Sequence, residues 1–306
     1  MVRKKLFLSA GECMIEMSSL GGSEFHLGFA GDTLNTAWYA RACLPTQEWD
    51  VSYFTRIGTD SFSTKMKDFL SRNGIGTDHI EEDAQRQAGL YLIEIENGER
   101  HFTYWRNQSA ARLLAVNQPL LAKAFSDADI IYFSAITLAI LCPEQRAVFI
   151  SHLRDAARFG KTVVFDTNIR PRLWESHDIL RETIMQAAAV AQIVLPSFDD
   201  EAAMFGDRSL EDCADRYRAA GAQVVVVKNG GGTMLVADAN GMRQITDIEP
   251  LMPVDTTGAG DSFNGGFLAA LLSGKNLETA VKAGHAVAAQ VVMQRGALMP
   301  MEQLTF

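Results

Sequence analysis

Short β-branched runs separated by helical stretches recur along the 306 residues, and this alternation constrains the fold more than any other feature. A strand that is apolar on both faces needs cover on both sides, and intervening helices supply it. Lys5–Ala10, Val51–Arg56, Asp129–Ala135, Thr162–Asp166, Gln192–Leu195 and Gln223–Lys228 read as strands. Helices are expected at Asp60–Asn73, Pro143–Phe159, Asp178–Val190, Ser209–Ala220, Asp261–Leu272 and Leu277–Gln294. The expected class is α/β, three layers thick, around a predominantly parallel central sheet.

Two stretches break the alternation. Ala88–Arg106 alternates along two arms joined at Glu96-Asn97-Gly98-Glu99, and Asn-Gly favours a hairpin turn because both residues tolerate positive φ. Residues 13–30 are extended, with Gly21-Gly22 as their turn. Together they predict a small second sheet over one end of the first, the alternative being an extra edge hairpin on the main sheet. No repeat or Pro-rich linker divides the chain, so one domain is expected across 1–306.

Charge and cysteine usage exclude several function classes. A formal net charge of −9, with the basic residues scattered, works against nucleic acid or an anionic membrane surface. Cys13, Cys43, Cys142 and Cys213 show no C-x-x-C spacing and fall in segments that read as buried. Neither a disulfide framework nor a zinc site is expected, and reduced thiols fit a cytoplasmic protein. The apolar run after the basic N-terminus is too short for a signal peptide, and Ile130–Cys142 is too short to span a bilayer.

The chemistry concentrates in D-T-T-G-A-G-D-S-F-N-G-G, Asp255 to Gly266, which follows an extended segment and opens a helix. Gly258, Ala259 and Gly260 are small enough for a phosphate to reach the backbone, where unpaired N–H groups and the helix dipole favour negative charge. Asp261, in the first turn, faces the same anion and can take a hydroxyl proton. The plainer alternative is a Gly-rich turn with an ordinary N-terminal Asp. Two other phosphate motifs fail: Phe263 stands where a dinucleotide fingerprint needs its third glycine, and Asp155 stands where a P-loop ending at Gly160-Lys161-Thr162 needs its first.

G-F-A-G-D-T-L-N-T-A (28–37) paired with D-T-T-G-A-G-D (255–261) resembles the two signatures of the ribokinase-like (PfkB) carbohydrate kinases, and the resemblance spans the chain. G-E-C-M-I-E, G-L-Y-L-I-E, Y-W-R-N and R-P-R-L-W are similar to the members acting on 2-dehydro-3-deoxygluconate. The resemblance implies ATP with Mg²⁺, transfer of the γ-phosphate to the sugar acid's 6-hydroxyl, and a discontinuous β lid from about 13–36 and 86–110. A second subunit's lid could pair with it.

Residue by residue, the resemblance assigns Gly31, Asp32 and Asn35 to the sugar, although a tight turn capping a helix would explain them too. It assigns Arg106 and Arg170 to the substrate carboxylate, with Tyr91 and Tyr104 beside them; a planar guanidinium suits a carboxylate because it donates two parallel hydrogen bonds. Arg172 is a weaker candidate. Glu12 and Glu16 lie near the first strand end, Glu12 reading as structural. On the nucleotide side it implicates Lys228, Gly230, Gly231, Gly232 and His285. Where the family often carries Asn-x-x-Glu near the metal, this chain has Ser197-x-x-Asp200, so Asp200, or neighbouring Glu201, is the metal candidate. A monovalent cation near Asp255 and Thr257 is a further implication. The rivals are a same-fold kinase for fructose, ribose or a nucleoside, and a non-catalytic sugar- or nucleotide-sensing protein.

Overall fold

The structure, a computed structural model, describes residues 3–96, 99–248 and 252–306. Along the first third run β1 (Lys5–Ala10), β2 (Met14–Gly21), β3 (Glu24–Ala30), α1 (Asp32–Cys43), β4 (Trp49–Gly58) and α2 (Ser61–Arg72). Then come β5 (Ile75–Gly76), β6 (Ile80–Asp83), β7 (Gly89–Glu96), β8 (Glu99–Trp105) and α3 (Gln118–Asp127). The middle holds β9 (Ile130–Ser134), α4 (Ala135–Ala139), α5 (Pro143–Arg158), β10 (Thr162–Asp166), α6 (His177–Ala188), β11 (Ile193–Val194), α7 (Phe198–Phe205) and α8 (Leu210–Ala220). The chain ends with β12 (Val224–Val227), β13 (Met234–Asp238), β14 (Gly241–Ile245), α9 (Ala259–Leu272) and α10 (Leu277–Val291).

The main sheet runs β14-β13-β12-β11-β10-β9-β1-β4-β5, with β6 also on β4. Its pairings are parallel except for β12–β13 and β13–β14, which are antiparallel. Alternate residues feed two cores. Leu8, Phe133, Phe165 and Val227 pack under α3, α5, α6 and α8 on one face. Phe7, Tyr132, Val164 and Val226 pack under α1, α9 and α10 on the other. This is why the strands read as near-continuous apolar runs, and it makes the expected three layers.

Helices α1 and α9 are buried nearly all round, unlike the amphipathic α2. They pack closely because Gly265 carries no side chain: a Cβ there would meet Tyr39 Cβ at 2.5 Å and the Ala40 nitrogen at 2.9 Å. That contact brings the N-terminus of α9 beside the N-terminus of α1.

A separate four-stranded sheet, β3-β2-β7-β8, combines two antiparallel hairpins through a parallel β2–β7 pairing. Both expected hairpins are present, as a separate sheet and not as an edge of the main one; the turn residues Asn97 and Gly98 lie outside the described residues. The small sheet ends at Ala30, because Asp32 already begins α1, so residues 32–36 belong to the body. The ends of the expected elements lie within two residues of expectation, the start of α9 at Ala259 included, except that α10 stops at Val291, three residues before Gln294. All four cysteines are free; Cys142 is exposed, contrary to expectation, because it stands at the N-cap of α5 in the turn after α4. Among the described residues no helix is long and apolar enough to cross a membrane.

Candidate active site

The sheet order places β1 between β4 and β9, the point at which successive strands are added in opposite directions. Loops at the strand C-termini diverge at such a point and leave a crevice. Glu12 follows β1, Asp166 ends β10, Ser197 follows β11 and Lys228 follows β12. A parallel bridge between Ser197 and Lys228 extends that edge of the sheet. Facing these strand ends are the N-termini of α1 and α9, and the small sheet adds side chains from β7 and β8.

The crevice holds two adjoining cavities. One, of about 520 Å³, is lined by Gly31, Asp32, Asn35, Tyr91, Tyr104, Arg106, Arg170, Asp200 and Gly258–Asp261, so it unites the expected sugar, metal and catalytic residues. The other, of about 290 Å³, is lined by Gly230, Gly231 and His285 with apolar Phe263 and Val292. Ser197, Lys228, Thr256, Ala259 and Gly260 line both. Gly232, also implicated on the nucleotide side, lines neither.

Helix α9 starts without a side-chain cap, from Gly258 at φ 76°. A Cβ on Gly258 would also stand 2.9 Å from the Ala297 carbonyl, so glycine is required twice over. The first bond inside the helix runs from the Ser262 amide to the Gly258 carbonyl at 2.8 Å. The amides of Gly260 and Asp261 precede it, at the positive end of the helix dipole and on the cavity wall. The Lys228 ammonium stands 3.8 Å from the place a Gly260 Cβ would occupy. Such donors fit a phosphate chain.

Asn35 ties the two helix starts together. Its Nδ2 donates to Asp261 Oδ2 at 2.8 Å and its Oδ1 accepts from the Gly31 amide at 3.4 Å. Gly31 touches the Glu12 carbonyl so closely that a Cβ would lie 2.3 Å from it. Burial, and then the Asp32 and Asp166 charges, push the Asp261 carboxyl up to about 8, against the pull of Asn35 and Lys228. Asp32 is raised too, first by burial, while Asn168 donates to it at 3.0 Å. This surplus of carboxylates fits a substrate that arrives with a divalent cation.

Beneath the cavity lies a buried polar network of which sequence reasoning found only Lys228. Lys228 Nζ donates to Asp166 Oδ1 at 3.0 Å and to Asn264 Oδ1 at 3.1 Å. Asn264 Nδ2 donates to Asp166 Oδ2 at 2.9 Å and to the Tyr132 hydroxyl at 3.0 Å, and Thr36 donates to that hydroxyl at 3.0 Å. Asp166 and Asn168 had one available signal: D-T-N ends a strand just before Arg170, and strand C-termini carry sites in such sheets. Asn168 is also the one described non-glycine residue at positive φ, 23°, a conformation asparagine tolerates.

The structure gives the remaining candidates their partners. Glu12 is buried, ion-paired with buried Arg106, and lines neither cavity. Glu16 accepts from the Tyr91 hydroxyl. Arg170 lies 3.6 Å from Asp200, joining a sugar candidate to the metal candidate. Glu201 cannot stand in for Asp200, because it is buried in the core on Arg216 at 2.9 Å and the Tyr217 hydroxyl at 2.8 Å. Arg172 is exposed and lines neither cavity. Asp255 holds backbone, accepting from the amides of Thr257 at 3.0 Å and Gly296 at 2.6 Å.

A parallel sheet with a cleft at its switch point, a phosphate-type helix start and a half-buried carboxylate beside it fit an enzyme of phosphoryl transfer. The chain matches the pfkB family of carbohydrate kinases over residues 5–304 and belongs to that family. A 2-dehydro-3-deoxygluconokinase of Haemophilus influenzae is 39% identical over 296 residues, covering 94% of each chain. Among solved structures, a PfkB protein from Polaromonas sp. JS666 is 27% identical with a TM-score of 0.81, over 95% of this chain and 96% of that one. A fructokinase with bound ATP from Xylella fastidiosa has a TM-score of 0.82 at 22% identity, over 96% of this chain and 94% of that one.

Proposed function

We propose that the protein transfers the γ-phosphoryl group of ATP to the 6-hydroxyl of 2-dehydro-3-deoxygluconate, giving ADP and 2-dehydro-3-deoxy-6-phosphogluconate. The observation that carries this proposal is the position of Asp261, a half-buried carboxylate of the larger cavity at a bare helix N-terminus, next to Gly260, which lines both cavities. The sugar acid takes the larger cavity, under the small sheet acting as a lid, and the nucleoside takes the smaller. Asp261 accepts the proton of the 6-hydroxyl as its oxygen bonds to the γ-phosphorus and the bond to the ADP oxygen breaks. The amides of Gly260 and Asp261 stabilise the charge on the group in flight, and Lys228 lies against the phosphate chain. Asp200 and Ser197, both on the cavity wall, would hold Mg²⁺, which would neutralise phosphate charge when bound with ATP. A monovalent cation near Asp255 and Thr257 belongs to the same proposal.

A kinase for a neutral sugar is the second reading, favoured by one observation: Arg106 already has a buried partner in Glu12, which leaves Arg170 to recognise an acid. ADP release with Mg·ATP across 2-dehydro-3-deoxygluconate, its galactonate epimer, fructose, ribose and adenosine separates the two. Turnover confined to the acidic sugars is the expected result; turnover on fructose with none on the acids would discard it.

The exposed Leu20, Leu27 and Trp105 of the small sheet support a second copy of the chain as lid partner. Monomer at all concentrations in sedimentation would remove that element. A cytoplasmic location, where ATP and free thiols coexist, completes the proposal; export of the chain in a fractionation experiment would contradict it.

A further inference from the structure

The larger cavity is lined by four carboxylates, Asp32, Asp166, Asp200 and Asp261, and by three cations, Arg106, Arg170 and Lys228. An anionic sugar entering it must find a cation with charge to offer. Lys228 is buried on Asp166 at 3.0 Å, and both of its carboxylate and amide contacts are buried with it. The Arg106 side chain is 8% exposed and that of its partner Glu12 only 1%. Drawing either cation away would strand a carboxylate out of reach of water, which is the costly way to break an ion pair.

Arg170 is different. Its side chain is 52% exposed and that of Asp200 is 38% exposed, with 3.6 Å between Nη1 and Oδ2, longer than a hydrogen bond. Its short hydrogen bond, 2.7 Å, goes to the carbonyl of Ile169 and anchors the guanidinium without using its charge. If Asp200 lets go, water can solvate it, and Ser197 at the start of the same helix already lines both cavities. Of the three cations, Arg170 is the one whose partner can be exchanged at little cost.

We propose that the carboxylate of the sugar acid replaces Asp200 on Arg170, so that Asp200 competes with the substrate until it is released toward the nucleotide side. The proposal rests on the sugar-acid function given above. Its consequence is counter-intuitive: removing the charge of a residue that lines the active site strengthens substrate binding.

The test is calorimetric titration of the full chain with 2-dehydro-3-deoxygluconate, without nucleotide or divalent metal. Arg170→Ala should weaken binding by about tenfold or more, the scale of a lost charge pair. Asp200→Asn should tighten it by roughly threefold to tenfold, the scale of one partly exposed competitor. In the Arg170→Ala background the Asp200→Asn gain should vanish, as coupling through a shared partner requires. An Asp200→Asn variant that binds the sugar acid no more tightly than the parent overturns the exchange and leaves the substrate assignment standing. The same gain for fructose would overturn it as well, because a neutral ligand has no charge to compete. No binding of the sugar acid to the unmodified chain sinks the exchange and the substrate assignment together.

Discussion

Two cation–carboxylate pairs line the same cavity and behave as opposites. Lys228 and Asp166 are both buried, sit 3.0 Å apart and are cross-braced by Asn264 and Tyr132. Arg170 and Asp200 are both partly exposed, 3.6 Å apart, and the guanidinium donates a hydrogen bond to the carbonyl of its neighbour Ile169 rather than to a buried side chain. The difference lies in what each partner meets on separation. A buried partner loses its counter-charge without gaining water and so holds its geometry; an exposed partner meets water and can let go. One site therefore contains a fixed frame for phosphate chemistry and an adjustable grip for the incoming sugar.

The comparison is most severely tested where the frame meets the base. Asp261→Asn should lower kcat by about 10²–10⁴-fold, the usual range for a lost general base, while calorimetry shows ATP affinity nearly unchanged. Wild-type turnover in that variant would detach the frame from the chemistry. Next in size is the frame itself. Lys228→Met leaves Asp166 buried without its cation and should cost about 3–5 kcal/mol in urea unfolding. Arg170→Ala, tested the same way, should cost under ~1 kcal/mol, because the pair is solvent-screened. Equal losses in the two variants would erase the distinction between locked and exchangeable pairs.

A smaller effect concerns pH. The folded Asp261 carboxyl titrates near 8 and an unfolded one at the ordinary carboxylate value near 4, so the folded chain holds the extra proton between those limits. That contribution to stability is complete below pH 4 and is lost progressively as pH rises to about 8. Asp261→Asn has no such loss, so its melting temperature should gain on the parent from pH 5 to pH 9; a constant difference would mean the carboxyl is not raised. In the parent, kcat/KM should climb through a limb near pH 8 as the base form appears, and a profile flat from pH 6 to 9 would contradict it.

The alternation of strands and helices was legible because apolar periodicity is a local property, and β1 and β10 stand at the boundaries read from it. The D-T-T-G-A-G-D string was legible for a similar reason: a phosphate cradle at a helix start is built from consecutive residues. The sequence pattern alone places the start of α9 two residues late, because Gly258, in a left-handed conformation, caps the helix ahead of Asp261. The apolar residues around Cys142 point to burial, yet it stands at a helix N-cap and is exposed.

By itself the sequence determined the class of fold, the second small sheet and the phosphate-binding helix start, since each depends on residues near one another in the chain. Which charges neutralise which was decided only in three dimensions. Asn35 and Asp261 are 226 positions apart, and Lys228 and Asp166 are 62 apart. An arginine in a motif looks the same whether its partner is buried Glu12 or solvated Asp200. Only packing sets how much water each pair keeps, and the solvation of a pair decides whether it can be exchanged.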